Sequence, residues 1–98
     1  MAIQHVVMFR FNEGTEPSSV DRLATGLRRL PSLIPQIATY AVGPDLGLSD
    51  GSWDFALSAR FASVADFETY RAHPEHVAVV NDLVEPITAE RRSVQFEY

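Results

Sequence analysis

Cysteine and lysine are both absent from this chain of 98 residues. Without cysteine there can be no disulfide, no thiolate nucleophile and no Cys-ligated zinc or iron–sulfur site. All 8 basic residues are arginines, and 13 acidic residues bring the formal net charge to −5. The nearest approach to a basic patch is two pairs, Arg28-Arg29 and Arg91-Arg92. We therefore expect neither nucleic-acid nor anionic-membrane binding.

Long apolar runs are also missing, so no segment is expected to span a membrane. The first residues lack a basic stretch followed by an apolar one, which predicts no secretory signal and a cytoplasmic location. The 5 glycines form neither a phosphate-binding loop nor a dinucleotide fingerprint. Asp45, Asp50 and Asp54 lack calcium-loop spacing, and the three histidines lack a regular ligand spacing. We therefore predict no metal and no cofactor.

The composition is that of an ordinary globular protein, with 46% hydrophobic and 21% charged residues. The length suits a single domain over residues 1–98. Because nothing links the chain covalently, any support beyond its own core is expected from a partner subunit.

Apolar periodicity predicts an α+β fold in the order β-α-β-β-α-β. Alternation predicts strands over residues 3–11, 37–42, 53–61 and 88–98, and a helical stripe ends near Pro31. A second helix begins at Ser63, with Asp66 completing a capping box. It is broken at His73-Pro74, because a residue before proline avoids the α conformation.

This order is that of a ferredoxin-like domain, in which helices cover one face of an antiparallel sheet. The other face also carries apolar residues, and both faces of the first strand are apolar. We therefore predict a homodimer in which two sheets pack face to face.

The residues best suited to chemistry are histidines and a tyrosine. His5 lies on the first strand, and Tyr70, His73 and His76 surround the helix break. An imidazole transfers protons in both directions near neutrality. A tyrosine hydroxyl can donate to a developing enolate or carbonyl oxygen while the imidazole removes a proton.

The sequence resembles the stress-responsive α/β-barrel (Dabb) family along its whole length. The segments that carry the resemblance are His5-Val6-Val7-Met8-Phe9-Arg10-Phe11, Phe61-x-Ser63, Tyr70-x-x-His73-Pro74-x-His76 and Phe96-Glu97-Tyr98. The resemblance implies a ferredoxin-like domain that dimerises through its sheet into an α/β barrel. Most members of that family have no assigned reaction, and several are known simply as stress-induced proteins.

One plant member, olivetolic acid cyclase, closes a linear polyketide thioester by aldol chemistry without a cofactor. The resemblance to it implies catalytic roles for His76 as general base, Tyr70 as the group that holds the substrate carbonyl, and His5. A small apolar carbonyl compound is the implied ligand. The residues expected to contact it are His73, Val7, Phe9, Phe67 and Val80.

Structural roles for the same residues stay open. His73 can end a helix, His76 can pair with Glu75, Asp82 or a backbone carbonyl, and His5 can be a hydrogen-bonded core residue. Tyr70 can pack in the core with its hydroxyl bonded to a histidine, all four sharing one network. The protein would then be a non-enzymatic stress-response dimer. A cofactor-independent monooxygenase of the dimeric α/β-barrel superfamily is a further alternative.

Overall fold

The computed structural model describes residues 2–98 and confirms the β-α-β-β-α-β order of a ferredoxin-like fold. The second helix is broken, as predicted, and its second half continues into a π-helical turn. The elements are β1 (Ile3–Phe11), α1 (Pro17–Leu33), β2 (Ile37–Pro44), β3 (Phe55–Phe61), α2 (Val64–Ala72), α3 (Pro74–Val79), the π turn (Val80–Val84) and β4 (Thr88–Glu97).

The four strands form one antiparallel sheet in the order β2-β3-β1-β4. The apolar strand β1 is therefore central, as its composition predicts. The register places His5 between Ala59 of β3 and Gln95 of β4. Odd-numbered residues of β1 from Ile3 to Phe9 are buried beneath the helices.

Helix α1 buries a stripe of residues at three- and four-residue spacing, including Leu23, Leu27 and Leu30. The helix was predicted to end near Pro31 but continues to Leu33. Pro31 lies in the last turn, and the amide of Ile34 still donates to the carbonyl of Leu30 at 2.8 Å. A proline this close to the end removes one bond without stopping the helix.

The boundaries around the long β2–β3 loop also differ from those predicted. Strand β2 extends to Pro44, because the amide of Asp45 donates to the carbonyl of Asp54 at 2.9 Å. Strand β3 begins at Phe55 and not at Trp53, whose ring instead lies 4.6 Å from the Arg10 guanidinium carbon. At the other end of the sheet, β4 stops at Glu97.

Helix α2 begins with the predicted cap, the Ser63 hydroxyl accepting from the amide of Asp66 at 3.1 Å. Its buried residues are Phe67 and Tyr70. The side of the sheet away from the helices stays open in the single chain and displays Met8, Val94 and Phe96, each 44–56% exposed. We call this side the open face. Within residues 2–98 no helix is long and apolar enough to cross a membrane.

Candidate functional site

A cavity of about 360 Å³ lies between the helices and the covered side of the sheet. Its wall includes all three predicted catalytic residues and four of the five predicted contact residues. The lining residues are His5, Val7, Phe9, Leu27, Leu57, Phe67, Tyr70, Arg71, His76, Val80, Val84, Arg91 and Ser93. The wall is largely apolar, with its polar groups gathered around the histidines and the tyrosine, as in most small-molecule sites.

His73, which was predicted to contact substrate, does not line this cavity. It ends α2 and caps α3, and its Nδ1 atom accepts a hydrogen bond from the amide of Glu75 at 3.1 Å. The structural role considered for His73 is therefore the one observed.

The helix break at Pro74 sets the hydrogen bonding of His76. In a continuous helix the carbonyl of Arg71 would accept from the amide of Glu75, but that amide is bonded to His73. The Arg71 carbonyl is instead 3.0 Å from Nδ1 of His76. A carbonyl only accepts, so Nδ1 carries the proton and Nε2 of the neutral ring keeps a free lone pair.

Burial lowers the pKa of His76 below its ordinary value. The bond to the Arg71 carbonyl opposes this effect, and the positive charge of Arg91 lowers the pKa further. His76 is therefore neutral at physiological pH. A neutral imidazole with an unprotonated Nε2 is the form that a general base requires.

Tyr70 lies next to His76, with 4.3 Å between the ring centroids. It is 1% exposed, and its hydroxyl is 2.8 Å from the hydroxyl of Tyr40 on β2. Burial raises the pKa of Tyr70 to about 12, and the bond to Tyr40 acts in the opposite direction. Burial also raises the pKa of Tyr40. Both phenols stay protonated near neutrality, so Tyr70 is a hydrogen-bond donor whenever Tyr40 donates to it.

His5 lines the cavity from β1, with its ring centroid 5.0 Å from that of Phe67 and 6.1 Å from that of Tyr70. Its Nδ1 atom is 2.7 Å from Oε1 of Gln95 on β4. Burial lowers the pKa of His5, while the Gln95 bond raises it and the positive charge of Arg71 lowers it. His5 is therefore a second neutral imidazole.

The alternative in which one hydrogen-bond network joins these residues is not what the structure shows. Within residues 2–98 no hydrogen bond joins any two of the His5, Tyr70 and His76 rings. Each ring bonds to a different element, through Gln95, Tyr40 and the Arg71 carbonyl. The structural alternative in which the Tyr70 hydroxyl bonds to a histidine is not observed, whereas a backbone carbonyl was among the partners considered for His76.

The polar residues that the sequence did not point to are Arg71, Arg91 and Ser93. A signal for the last two was available. Val94 and Phe96 mark the open face of β4, so Arg91 and Ser93 must point to the helix side. Arg71 follows Tyr70 directly, and helical spacing alone does not bring it to the cavity. Among the described residues no group of three or more His, Cys, Asp or Glu could hold a metal ion.

The profile of the Dabb, or stress responsive A/B barrel, domain family matches residues 3–98. The chain belongs to this family. A curated relative, a stress-response A/B barrel domain-containing protein of Arabidopsis thaliana, is 26% identical over 95 residues, covering 96% of this chain. The chain spans only 36% of the length of that relative, and 40% of the length of a second Arabidopsis protein with the same domain.

Solved structures confirm the ferredoxin-like fold of this Dabb chain. A dimeric ferredoxin-like protein of unknown function from Thermobifida fusca has a TM-score of 0.92 and 39% identity, covering 100% of this chain and 92% of that one. The hydroxynitrile lyase of Passiflora edulis has a TM-score of 0.84 and 19% identity, covering 97% and 91%. The second likeness is one of fold alone.

Proposed function

We propose that this Dabb protein is a homodimer whose cavity binds a small apolar carbonyl compound and performs cofactor-free acid–base chemistry on it. The observation that carries the proposal is the pairing of His76 with Tyr70. A neutral imidazole with a free Nε2 lies beside a buried phenol that stays protonated, and both line one apolar cavity.

In the proposed reaction, Nε2 of His76 removes a proton from the carbon next to the substrate carbonyl. The electron pair of that C–H bond moves into the carbonyl and forms an enolate. The Tyr70 hydroxyl donates a hydrogen bond to the enolate oxygen, where the negative charge develops. The enolate carbon then bonds to a second carbonyl carbon, as in an aldol cyclisation, and the new alkoxide takes up the proton held by His76.

Tyr40 has a positioning role in this scheme. Among the described residues, the Tyr40 hydroxyl has one hydrogen-bond partner, the Tyr70 hydroxyl at 2.8 Å. When Tyr40 donates, the proton of Tyr70 is directed away from it and is available to the substrate. His5 lies beside Phe67 and Tyr70 in the wall, and in this proposal it contacts the substrate there.

The homodimer is supported by the open face and by the relatives. Met8, Val94 and Phe96 are apolar residues left uncovered in the single chain. The Thermobifida fusca protein is described as dimeric. Packing two open faces together would cover these side chains and leave each cavity on the helix side of its own sheet.

The hydroxynitrile lyase with this fold supports a lyase as the reaction class to assay. We expect the wild-type protein to exchange the α-protons of an apolar β-keto ester or thioester for deuterium. NMR spectra in D₂O would measure this exchange, which reports on proton removal whatever product follows. His76→Ala should lower the exchange rate by about 10²-fold or more.

The matched control is His73→Asn, which replaces the other histidine at the helix break by a residue that also caps helices. It should exchange at the wild-type rate. The proposal fails if the wild-type protein catalyses no exchange across a series of such substrates while His76→Ala lowers the melting temperature. That result would favour the alternative in which the protein is a non-enzymatic stress-response dimer.

A further inference from the structure

The charge on the cavity wall is opposite to that of the whole chain. The protein has 13 acidic residues against 8 arginines. Yet no aspartate or glutamate lines the cavity, while Arg71 and Arg91 both do. With both histidines neutral, the formal charge of the wall is positive. An apolar cavity with this charge is complementary to a ligand that is apolar and anionic.

The two arginines reach the cavity from different elements. Arg71 lies in the last turn of α2, with its guanidinium carbon 5.4 Å from the centroid of the Phe67 ring. Arg91 lies on β4, opposite Phe9 in the register and on the helix side of the sheet. The cavity is therefore bounded by a cation on the helix layer and another on the sheet layer.

Each guanidinium is only partly used by the protein. Nη2 of Arg71 is 2.7 Å from Oε2 of Glu68, and Nη2 of Arg91 is 3.0 Å from Oε1 of Glu85. Neither glutamate lines the cavity. Among residues 2–98, the Nη1 and Nε groups of both arginines have no hydrogen-bond partner. Each guanidinium therefore keeps charged N–H donors, on Nη1 and on Nε, that a carboxylate oxygen can accept from.

Ion pairs with glutamate do not by themselves explain why Arg71 and Arg91 lie at the cavity. The side chains of Arg71 and Arg91 are 60% and 42% exposed, so their bonds to glutamate contribute little to stability. Their positive charges do act on the site, since Arg71 lowers the pKa of His5 and Arg91 lowers that of His76. The arginines are therefore electrically coupled to the residues that would handle the substrate.

We infer that Arg71 and Arg91 form a carboxylate-binding site at the cavity, so that its ligand is an apolar carbonyl compound carrying a carboxylate group. As a statement about substrate class, this inference rests on the proposed function. As a statement about binding, it is independent of turnover. The carboxylate is held by one or both guanidinium groups, and the apolar part of the ligand lies against Val80, Val84 and Phe67.

The test is a comparison of two ligands that differ in charge and not in size, 3-phenylpropionate and its neutral amide. Chemical-shift titrations of the full chain would give both affinities. We expect the carboxylate to bind about 10-fold more tightly than the amide, as for hydrogen bonds that involve charged groups. Arg71→Gln combined with Arg91→Gln should abolish this preference and leave the affinity for the amide unchanged.

Arg22→Gln is the matched control, because Arg22 lies on α1 outside the cavity wall. It should keep the wild-type preference. The unchanged affinity for the amide also shows that the double variant is folded. Equal binding of acid and amide to the wild-type protein, or no shifts at cavity residues with the acid, would overturn the inference.

These outcomes are separate from those of the exchange experiment. A preference for the acid without any α-proton exchange would establish the anion site and refute the proposed reaction. Exchange on neutral substrates without a preference for the acid would support the proposed reaction and refute the anion site.

Discussion

The two sides of strand β4 reverse the usual distribution of polar and apolar residues in a sheet. From residue 91 onward, it carries Arg91, Ser93 and Gln95 on the side that faces the helices, and on the open face Val94 and Phe96 follow the charged Arg92. On β1, its neighbour, the helix side is apolar apart from His5. The comparison shows that strand position decides what a face contacts. The helix side of β1, a central strand, is buried core that also lines the cavity, whereas that of β4, an edge strand, lines the cavity but is largely exposed.

The reversal has a consequence for stability. Apolar residues on the helix side of the inner strands contribute to folding of the single chain, because they are buried within it. Apolar residues on the open face contribute only when another surface covers them. Substitutions on the helix side should therefore lower the stability of the single chain, whereas substitutions on the open face should lower only the stability gained in the dimer.

The largest effect is expected from Phe61→Ala on the helix side of β3. Phe61 is 0% exposed and packs on Phe67 and Tyr70, so the substitution should cost about 3–5 kcal/mol. Phe96→Ala, at a residue 48% exposed, should cost the single chain little. Urea unfolding at several protein concentrations checks the pair. Only the loss at Phe96 should depend on concentration, and equal, concentration-independent losses would contradict the distinction.

A charge on the open face should break the homodimer without unfolding the subunit. Val94 lies opposite Val6 on this face, and Val94→Glu would place a carboxylate where the two sheets are proposed to meet. Light scattering coupled to size exclusion should then show half the wild-type mass, with unchanged far-UV circular dichroism. Ala65→Glu, on the exposed side of α2, is the control and should stay dimeric. A dimeric Val94→Glu protein would place the interface elsewhere.

Acidification should destabilise the protein through the two cavity histidines. Burial lowers the pKa of both His5 and His76 in the folded state, so below about pH 6.5 the unfolded chain binds protons more readily. The free energy of unfolding is therefore unaffected by these two histidines well above pH 6.5, and it decreases as the pH falls below that value. Melting temperatures between pH 5 and 8 measure this slope. It should be shallower in a His5→Gln/His76→Gln double variant, and an unchanged slope would be evidence against buried neutral rings.

The smallest effect is expected from Tyr40→Phe, which removes one hydroxyl and keeps the ring. The loss of its bond to Tyr70 should lower the free energy of unfolding by about 1 kcal/mol. The exchange rate should also fall, because Tyr70 loses the partner that orients its proton. Tyr98→Phe, far from the cavity, is the matched control for stability and rate. Full exchange activity in Tyr40→Phe would show that Tyr70 needs no such orientation.

Much of the fold followed from local patterns. The alternation of Ile3, Val7 and Phe9, the stripe on α1 and the break at His73-Pro74 each depend on few residues, and all were confirmed. The predicted ends of α1 and β2 differ from those observed. Each end depends on a single backbone hydrogen bond, from the amide of Ile34 or of Asp45, which the sequence pattern does not reveal.

The candidate site was less predictable. Its histidines and tyrosine could be selected from the sequence because these side chains can transfer protons and donate hydrogen bonds. The hydrogen-bond partners of these side chains could not be predicted. Gln95, Tyr40 and the Arg71 carbonyl become partners through strand register and through a carbonyl released by Pro74. The arginines were missed because, in the sequence alone, a charged residue on a strand or helix indicates a surface.

Gly26 makes the width of the cavity depend on a residue that does not line it. A Cβ atom at Gly26 would lie 2.5 Å from Cδ1 of Leu83 in the π turn. Val80 and Val84 of the same turn face the cavity, as does Leu27, the neighbour of Gly26 on α1. A larger residue at this position would displace Leu83 or move the turn away from the helix. The size of the cavity can thus be changed without substituting any residue that lines it.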